Sequence, residues 1–293
     1  MKSQSTLEKS IKLTILLIAF IFNTTANAQT NSPKLENSLL WEVSGNELSK
    51  PSYLYGTIHM ICSGDYFLTD KTKKAFDASN KLVLEINFSD PKEMADAKEL
   101  TMGKEPLSKK LTEEQFAKLD AILKKTAKVS AKQVDAFTLA TVMSLVTMKS
   151  YGCTDIKQYE VDFMDMAKKK NIEIGELETV KSQALALENA YTNDEMILMI
   201  EKLNPDEIAK AVKAYKEENV MELNTVFADE KCASKKTNST ILEARNANWV
   251  KKMPALMKSE SVFFAVGSAH LGGELGVINL LRKAGYIVKP VMN

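Results

Sequence analysis

The sequence predicts an α/β (α+β) protein in which a central β-sheet is formed by the N- and C-terminal segments and a large helical region fills the middle. Three observations predict it. Apolar runs of strand length cluster at the two ends of the chain, and the middle carries apolar residues at helical spacing. Two of the terminal runs also finish in the same pattern, Gly56-Thr57-Ile58-His59 and Gly267-Ser268-Ala269-His270. A sheet that joins the first and last strands would bring those two turns together.

Residues 1–28 stand apart from the fold. Lys2, Lys9 and Lys12 precede an apolar core, Leu13 to Phe22, and Ala26-Asn27-Ala28 reads as a cleavage site, so this segment is expected to be a secretory signal peptide. The expected location is therefore periplasmic or extracellular, with no stable membrane insertion after cleavage. Residues 29–293 read as a single domain. Leu39 to Val43 and Ser52 to Ile58 are strand-like and joined by turn residues around Gly45-Asn46 and Lys50-Pro51, so they predict a hairpin. A helix near Asp70 to Ser79 follows, then a buried strand, Lys81 to Phe88, interrupted by one acid, Glu85.

From about 105 to 258 the pattern is that of a helical insertion. Leu119, Ile122, Leu123 and Thr126 keep helical spacing, as do Phe137, Ala140, Thr141, Ser144, Leu145 and Met148. Thr112 and Gln115 form a capping box, and Asn204-Pro205 starts another helix. Asn171 to Glu178 is a short strand and turn within this region. The chain then returns to α/β with a strand at Ser261 to Val266, a Gly-Gly turn, a helix from Gly273 to Ala284 and a strand at Tyr286 to Val291.

The 39 basic and 38 acidic residues leave a net charge of +1, which predicts no nucleic-acid partner and no anionic surface. Three cysteines, Cys62, Cys153 and Cys232, in an oxidising compartment imply one disulfide and one free thiol, with three pairings open. Without a C-x-x-C pair, a structural zinc site or thioredoxin-type centre is not expected.

His59 and His270 are the only histidines, so the repeated motif uses the whole supply. Each could simply be hydrogen-bonded at a strand end, but strand ends are also where open α/β sheets hold ligands. Gly56 and Gly267 are expected to permit tight turns. Glu85 is either an edge-strand residue facing solvent or a buried carboxylate that needs a partner. Together His59, His270 and Glu85 make a His, His, Glu set suited to a metal that keeps a position open for water. Glu178 fits a general base or a helix N-terminal carboxylate. Arg245 and Asn246 lie in an amphipathic helix, where Arg245 could bind a carboxylate or an oxyanion or form a surface ion pair.

The sequence resembles the TraB/GumN/PrgY family, whose Tiki branch comprises membrane-associated metalloproteases acting on Wnt. The resemblance is carried by Leu40-Trp41-Glu42-Val43, Ser52 to His59, Leu84-Glu85, Asp162, Gly175 to Thr179 with Gln183, Arg245-Asn246 with Trp249, and Phe264 to Leu271 with Gly276, Leu280-Leu281, Gly285-Tyr286 and Val288. It implies an α/β fold with a helical insertion, similar to the erythromycin-esterase and ChaN group, and a single pocket holding His59, Glu85, Arg245, Asn246 and His270. For the Tiki branch it implies a divalent metal, manganese or cobalt more often than zinc. No apolar C-terminal anchor is visible, so that branch's substrate is not carried over.

Together these readings predict an exported metal-dependent hydrolase, a peptidase acting on a peptide or small-molecule substrate. His59, His270 and Glu85 would bind the metal, Glu85 or Glu178 would activate water, and Arg245 and Asn246 would steady the substrate. The alternative is a non-catalytic extracytoplasmic protein that binds and sequesters a secreted peptide.

Overall fold

A computed structural model of the chain describes residues 35–227 and 234–292, so residues 1–28, read above as a signal peptide, and Cys232 lie outside the described residues. Strand β1 (Leu40–Ser44) runs antiparallel to β2 (Ser52–Thr57), which is the predicted hairpin. A three-residue strand, β3 (Met60–Cys62), and helix α1 (Asp70–Ala78) lead to β4 (Lys81–Leu84). The helical region then comprises α2 (Pro91–Thr101), α3 (Leu107–Lys110), α4 (Glu113–Thr126) and α5 (Leu139–Ser150). After β5 (Ile156–Gln158), α6 (Tyr159–Lys170) and β6 (Glu173–Glu176) come α7 (Val180–Ala190), α8 (Asn193–Lys202), α9 (Pro205–Lys216) and α10 (Val220–Phe227). The chain ends with α11 (Lys235–Asn238), α12 (Ala244–Met257), β7 (Val262–Gly267), α13 (Val277–Lys283) and β8 (Ile287–Pro290).

The strands form a six-stranded mixed sheet in the order β6-β4-β7-β2-β1-β8. β2, β7, β4 and β6 are mutually parallel, and β1 is antiparallel to both β2 and β8. The first and last strands of the sheet do meet, at β1 and β8. More consequential for function, β2 pairs directly with β7, with Gly56 opposite Val266 and Thr57 opposite Gly267. Both Gly-x-x-His motifs therefore leave the sheet side by side.

Every residue of β7 is buried, as a central strand covered on both faces requires. An aromatic cluster of Tyr55, Phe76, Phe163 and Phe263 packs α1 and α6 on one face, with ring centroids 5.1 to 5.8 Å apart. A second apolar core, containing Leu119, Leu123, Val142, Val146 and Ile197, holds α4, α5 and α8 together. The capping box of Thr112 with Gln115 forms as predicted, and Asn204 accepts hydrogen bonds from the Asp206 and Glu207 amides.

Three elements differ from the sequence reading. β4 stops at Leu84, because the Leu84 and Glu85 carbonyls turn to accept from the Leu177 and Glu178 amides; Glu85 lies just past the strand and is buried. The last helix begins at Val277, since residues 272 to 276 form turns and the Asn279 amide donates to the Gly273 carbonyl. β3 and β5 form a separate ribbon too short to show periodicity, with Met60 opposite Gln158 and Cys62 opposite Ile156.

That ribbon is closed by a disulfide between Cys62 and Cys153, 91 residues apart in sequence. Replacing both cysteines by serine is expected to lower the unfolding free energy by about 2–4 kcal/mol, because the bond restricts a long loop in the unfolded chain. Urea unfolding of the oxidised protein and the double variant measures this. Equal midpoints would mean that the bond contributes nothing.

Candidate functional site

The four parallel strands all deliver a polar side chain at their carboxyl ends: His59 after β2, Glu85 after β4, Glu178 after β6 and His270 after β7. Ligands of open α/β sheets gather at that edge. His59 adopts a left-handed backbone, φ 58°, which swings its side chain out of the line of β2. The two motif glycines, in contrast, are not in left-handed conformations, which corrects the expectation that they serve turns. They serve close approach. A Cβ on Gly56 would lie 3.0 Å from Ser268 and Leu271, and one on Gly267 would lie 3.0 Å from His59 Nε2 and 3.2 Å from Glu85 Oε1.

Arg245 reaches this edge from α12, directly after a π-helical turn at Ser239–Glu243. Such turns interrupt regular helices where a side chain must be re-aimed. Its Nη1 donates to the Ile241 carbonyl in that turn at 3.0 Å and to His270 Nε2 at 3.1 Å. Nη2 donates to Glu85 Oε2 at 2.7 Å and to Glu178 Oε1 at 2.5 Å, and Nε donates to Glu178 at 3.0 Å. A guanidinium has five N–H donors, and these contacts use all five. Its plane also lies over the Trp249 ring at 4.9 Å. Burial alone would favour losing the proton, but Glu85 and Glu178 outweigh it and hold Arg245 charged.

This geometry fixes the tautomer of His270. A guanidinium only donates, so Nε2 accepts, and Nδ1 donates to Asn246 Oδ1 at 2.6 Å. Asn246 spends its amide on the Leu275 carbonyl. His270 is buried against Trp249, and burial pushes its pKa down to about 3 despite the attraction of Glu85. It is a neutral imidazole. Glu85 behaves oppositely: burial would raise it, but with His270 neutral the charges of His59 and Arg245 and the Gly267 amide still bring it well below the usual carboxylate range. Gln183, on α7, donates to both Glu85 and Glu178, at 3.2 and 3.1 Å.

His59 is the exposed member, with 57% of its side chain open to solvent. Its Nδ1 donates to Glu160 Oε1 at 2.8 Å, and Thr57 Oγ1 donates to the same oxygen at 2.6 Å. Desolvation pulls the His59 pKa down, but the Glu160 carboxylate wins and raises it to about 9. The β3–β5 ribbon sets this pair: the Tyr159 amide donates to the His59 carbonyl at 3.3 Å, one residue before Glu160. Glu160 has no counterpart in the sequence reading. A carboxylate in the first turn of a helix is too common to be singled out.

The structure thus brings His59, Glu85, Glu178, Arg245, Asn246 and His270 to one site but distributes their roles differently from the sequence reading. Arg245 gives all five of its N–H groups to the protein, and Asn246 is buried with its oxygen on His270 and an N–H on the Leu275 carbonyl, so both are turned on the protein rather than toward a substrate. Glu178 is held on Arg245 and Gln183. Of the three expected metal donors, two meet: His59 Nε2 and Glu85 Oε1 converge above Gly267, where only a glycine leaves room. The third, His270 Nε2, faces Arg245. Among the described residues no group of three or more His, Cys, Asp or Glu side chains is arranged to hold a metal ion. Cys62, three residues past His59, is bound in the disulfide and is not a nucleophile in that state.

Fold and site define a mixed α/β protein with a buried ionic cluster at the carboxyl edge of its parallel strands and one exposed imidazole beside it. The chain belongs to the TraB/PrgY/gumN family, whose model matches residues 39–290. It is similar to the protein named "Metalloprotease TIKI1" of Danio rerio, at 22% identity over 90% of this chain and 65% of that protein. A second similarity is to "Metalloprotease TIKI2" of Danio rerio, at 38% identity over 61 residues, covering 20% of this chain and 12% of that protein. The chain therefore spans less than two thirds of either relative. Among the described residues no helix is long and apolar enough to cross a membrane.

The two histidines act on stability in opposite directions. The raised His59 contributes stability that is present below pH 6.5 and lost as the pH climbs through about 9. The depressed His270 contributes stability that is present above 6.5 and lost as the pH falls toward about 3. With only two imidazoles in the chain, NMR titration of untagged protein resolves both. One is expected to titrate near 9 and the other to stay neutral down to about 3, and Glu160→Gln should lower only the first. Two values near 6.5 would contradict the site as described.

Proposed function

We propose that this protein is an exported hydrolase of the periplasm or cell exterior that cleaves amide bonds of peptides. The carrying observation is the convergence of His59 Nε2 and Glu85 Oε1 above Gly267 at an edge open to solvent. A protonated imidazole beside an ionised carboxylate is an acid and a base within reach of one small volume. A carbonyl carbon seated there would be attacked by water whose proton passes to Glu85. His59 would give its proton to the leaving nitrogen. One C–O bond forms, one C–N bond breaks, and Glu85 returns the proton to His59 when the products leave. Glu160 keeps His59 charged and oriented; Arg245, Glu178 and Gln183 keep Glu85 ionised and aimed.

The printed names of the two relatives support hydrolysis and point to a divalent metal. Such an ion, manganese, cobalt or zinc, would bind His59 Nε2 only on the unprotonated imidazole, so held by His59 and Glu85 it would replace the acid role of His59 rather than join it, and the chemistry it would supply is a water of lowered pKa. Export is supported by the leader-like sequence and by the Cys62–Cys153 disulfide, a bond that persists in oxidising compartments.

Digestion of a peptide library, read by mass spectrometry with chelator and separately with each of the three metals, tests the proposal. Wild type is expected to cleave in at least one condition, and His59→Ala to lower kcat/KM by about 100-fold or more in that condition. Equal cleavage by the variant would remove His59 from the chemistry. Stoichiometric recovery of intact bound peptide, with no fragments in any condition, would replace the hydrolase with a sequestering protein.

A further inference from the structure

Helix α7 begins at the ionic cluster and ends at a separate pocket. Its N-cap, Thr179, directly follows Glu178, and Gln183 in its first full turn holds Glu85 and Glu178. Leu187 lies one turn further along the same stripe, since residues four apart share a helix face, and Tyr191 is the cap residue that ends the helix. Both line a pocket of about 520 Å³ whose other apolar walls are Leu100, Phe137, Leu139 and Met196. Its volume falls in the range of sites that bury a ligand side chain. At its rim the apolar side chain of Met102 stays open to solvent, 49% exposed.

We infer that this pocket is a specificity subsite that takes a bulky apolar side chain of an extended peptide whose scissile bond lies at His59 and Glu85. The inference rests on the hydrolase reading for the position of the cut bond. At a rise of ~1.5 Å per residue, Leu187 and Tyr191 lie about 6 and 12 Å beyond Gln183 along the helix axis. An extended chain advances ~3.3 Å per residue, so that span along α7 corresponds to roughly two to four residues of a bound peptide. The pocket belongs to the second apolar core, so the helical region supplies the recognition surface while the sheet edge supplies the reacting groups. Gln183 at the cluster and Leu187 in the pocket share one face of α7, and that shared face is the ground for giving the pocket to the same peptide.

The probes are fluorescein-labelled decapeptides of glycine, serine and alanine in which one phenylalanine, or one alanine in its place, is moved along the chain. Binding to the full-length protein carrying His59→Ala is measured by anisotropy, which needs no turnover, and cleavage by wild type is read in parallel. The phenylalanine peptide is expected to bind about tenfold tighter than its alanine counterpart. Leu187→Glu and the pocket-filling Ala184→Phe should each erase most of that preference, with circular dichroism confirming that both fold. Equal binding of the two peptides, or a preference that both variants retain, would overturn the subsite. A concentration-dependent dimer lost in Leu187→Glu, without peptide preference, would give the pocket to a second copy of the chain and also overturn it. Preference in binding without cleavage by wild type would leave the subsite standing and remove the hydrolase; cleavage without preference would do the reverse.

Discussion

Arg245 is the constraint on which the rest of the site depends. It is a buried cation that gives its five N–H groups to Glu85, Glu178, His270 and the Ile241 carbonyl. Glu85, Glu178 and His270 stand at the ends of β4, β6 and β7, so one side chain from α12 fastens three strand ends. Burying a charge is costly unless it is paired and its hydrogen bonds are satisfied, and here both conditions hold. The arrangement costs desolvation energy, and its return is a defined geometry: Glu85 stays ionised and His270 is held as one tautomer.

This division separates residues that hold from residues that face the solvent. Arg245, Asn246, Glu178 and His270 are turned on each other. His59 and one oxygen of Glu85 are what remain with a free valence toward the space above Gly267. The same logic explains why the repeated motif carries glycine: side chains at Gly56 and Gly267 would occupy the room that the neighbouring motif, His59 and Glu85 need. The β3–β5 ribbon, closed by the Cys62–Cys153 bond, is the counterpart device for His59, since it sets the register that brings Glu160 to the imidazole.

Much of this was legible in the sequence. The strand-rich ends, the hairpin and the capped helices follow from periodicity and from Thr, Asn and Pro at helix starts, which are local signals. That both Gly-x-x-His turns leave the sheet side by side was legible because the same tetrapeptide uses both histidines, and Glu85 because a carboxylate in an apolar run needs a partner. Other features depend on tertiary contacts that no local pattern encodes. Glu160 looks like any acid in a first helical turn, and β3 and β5 are three residues each. Arg245 and Asn246 lie beside Glu85 and His270, but whether a donor points at a substrate or at the protein is not written in local sequence, and only the full set of contacts shows that Arg245 is used up and that Asn246 is turned on His270. The reach of α7 from the ionic cluster to the apolar pocket is likewise invisible without the helix's position.

The dependence of the site on Arg245 is tested most directly by a double-mutant cycle of Glu85→Gln and Arg245→Met, with unfolding free energies measured in urea at neutral pH. A paired, buried contact predicts a coupling energy of about 2 kcal/mol or more, because each single change leaves the other partner buried without its charge. Additive effects, within about 0.5 kcal/mol, would contradict the account.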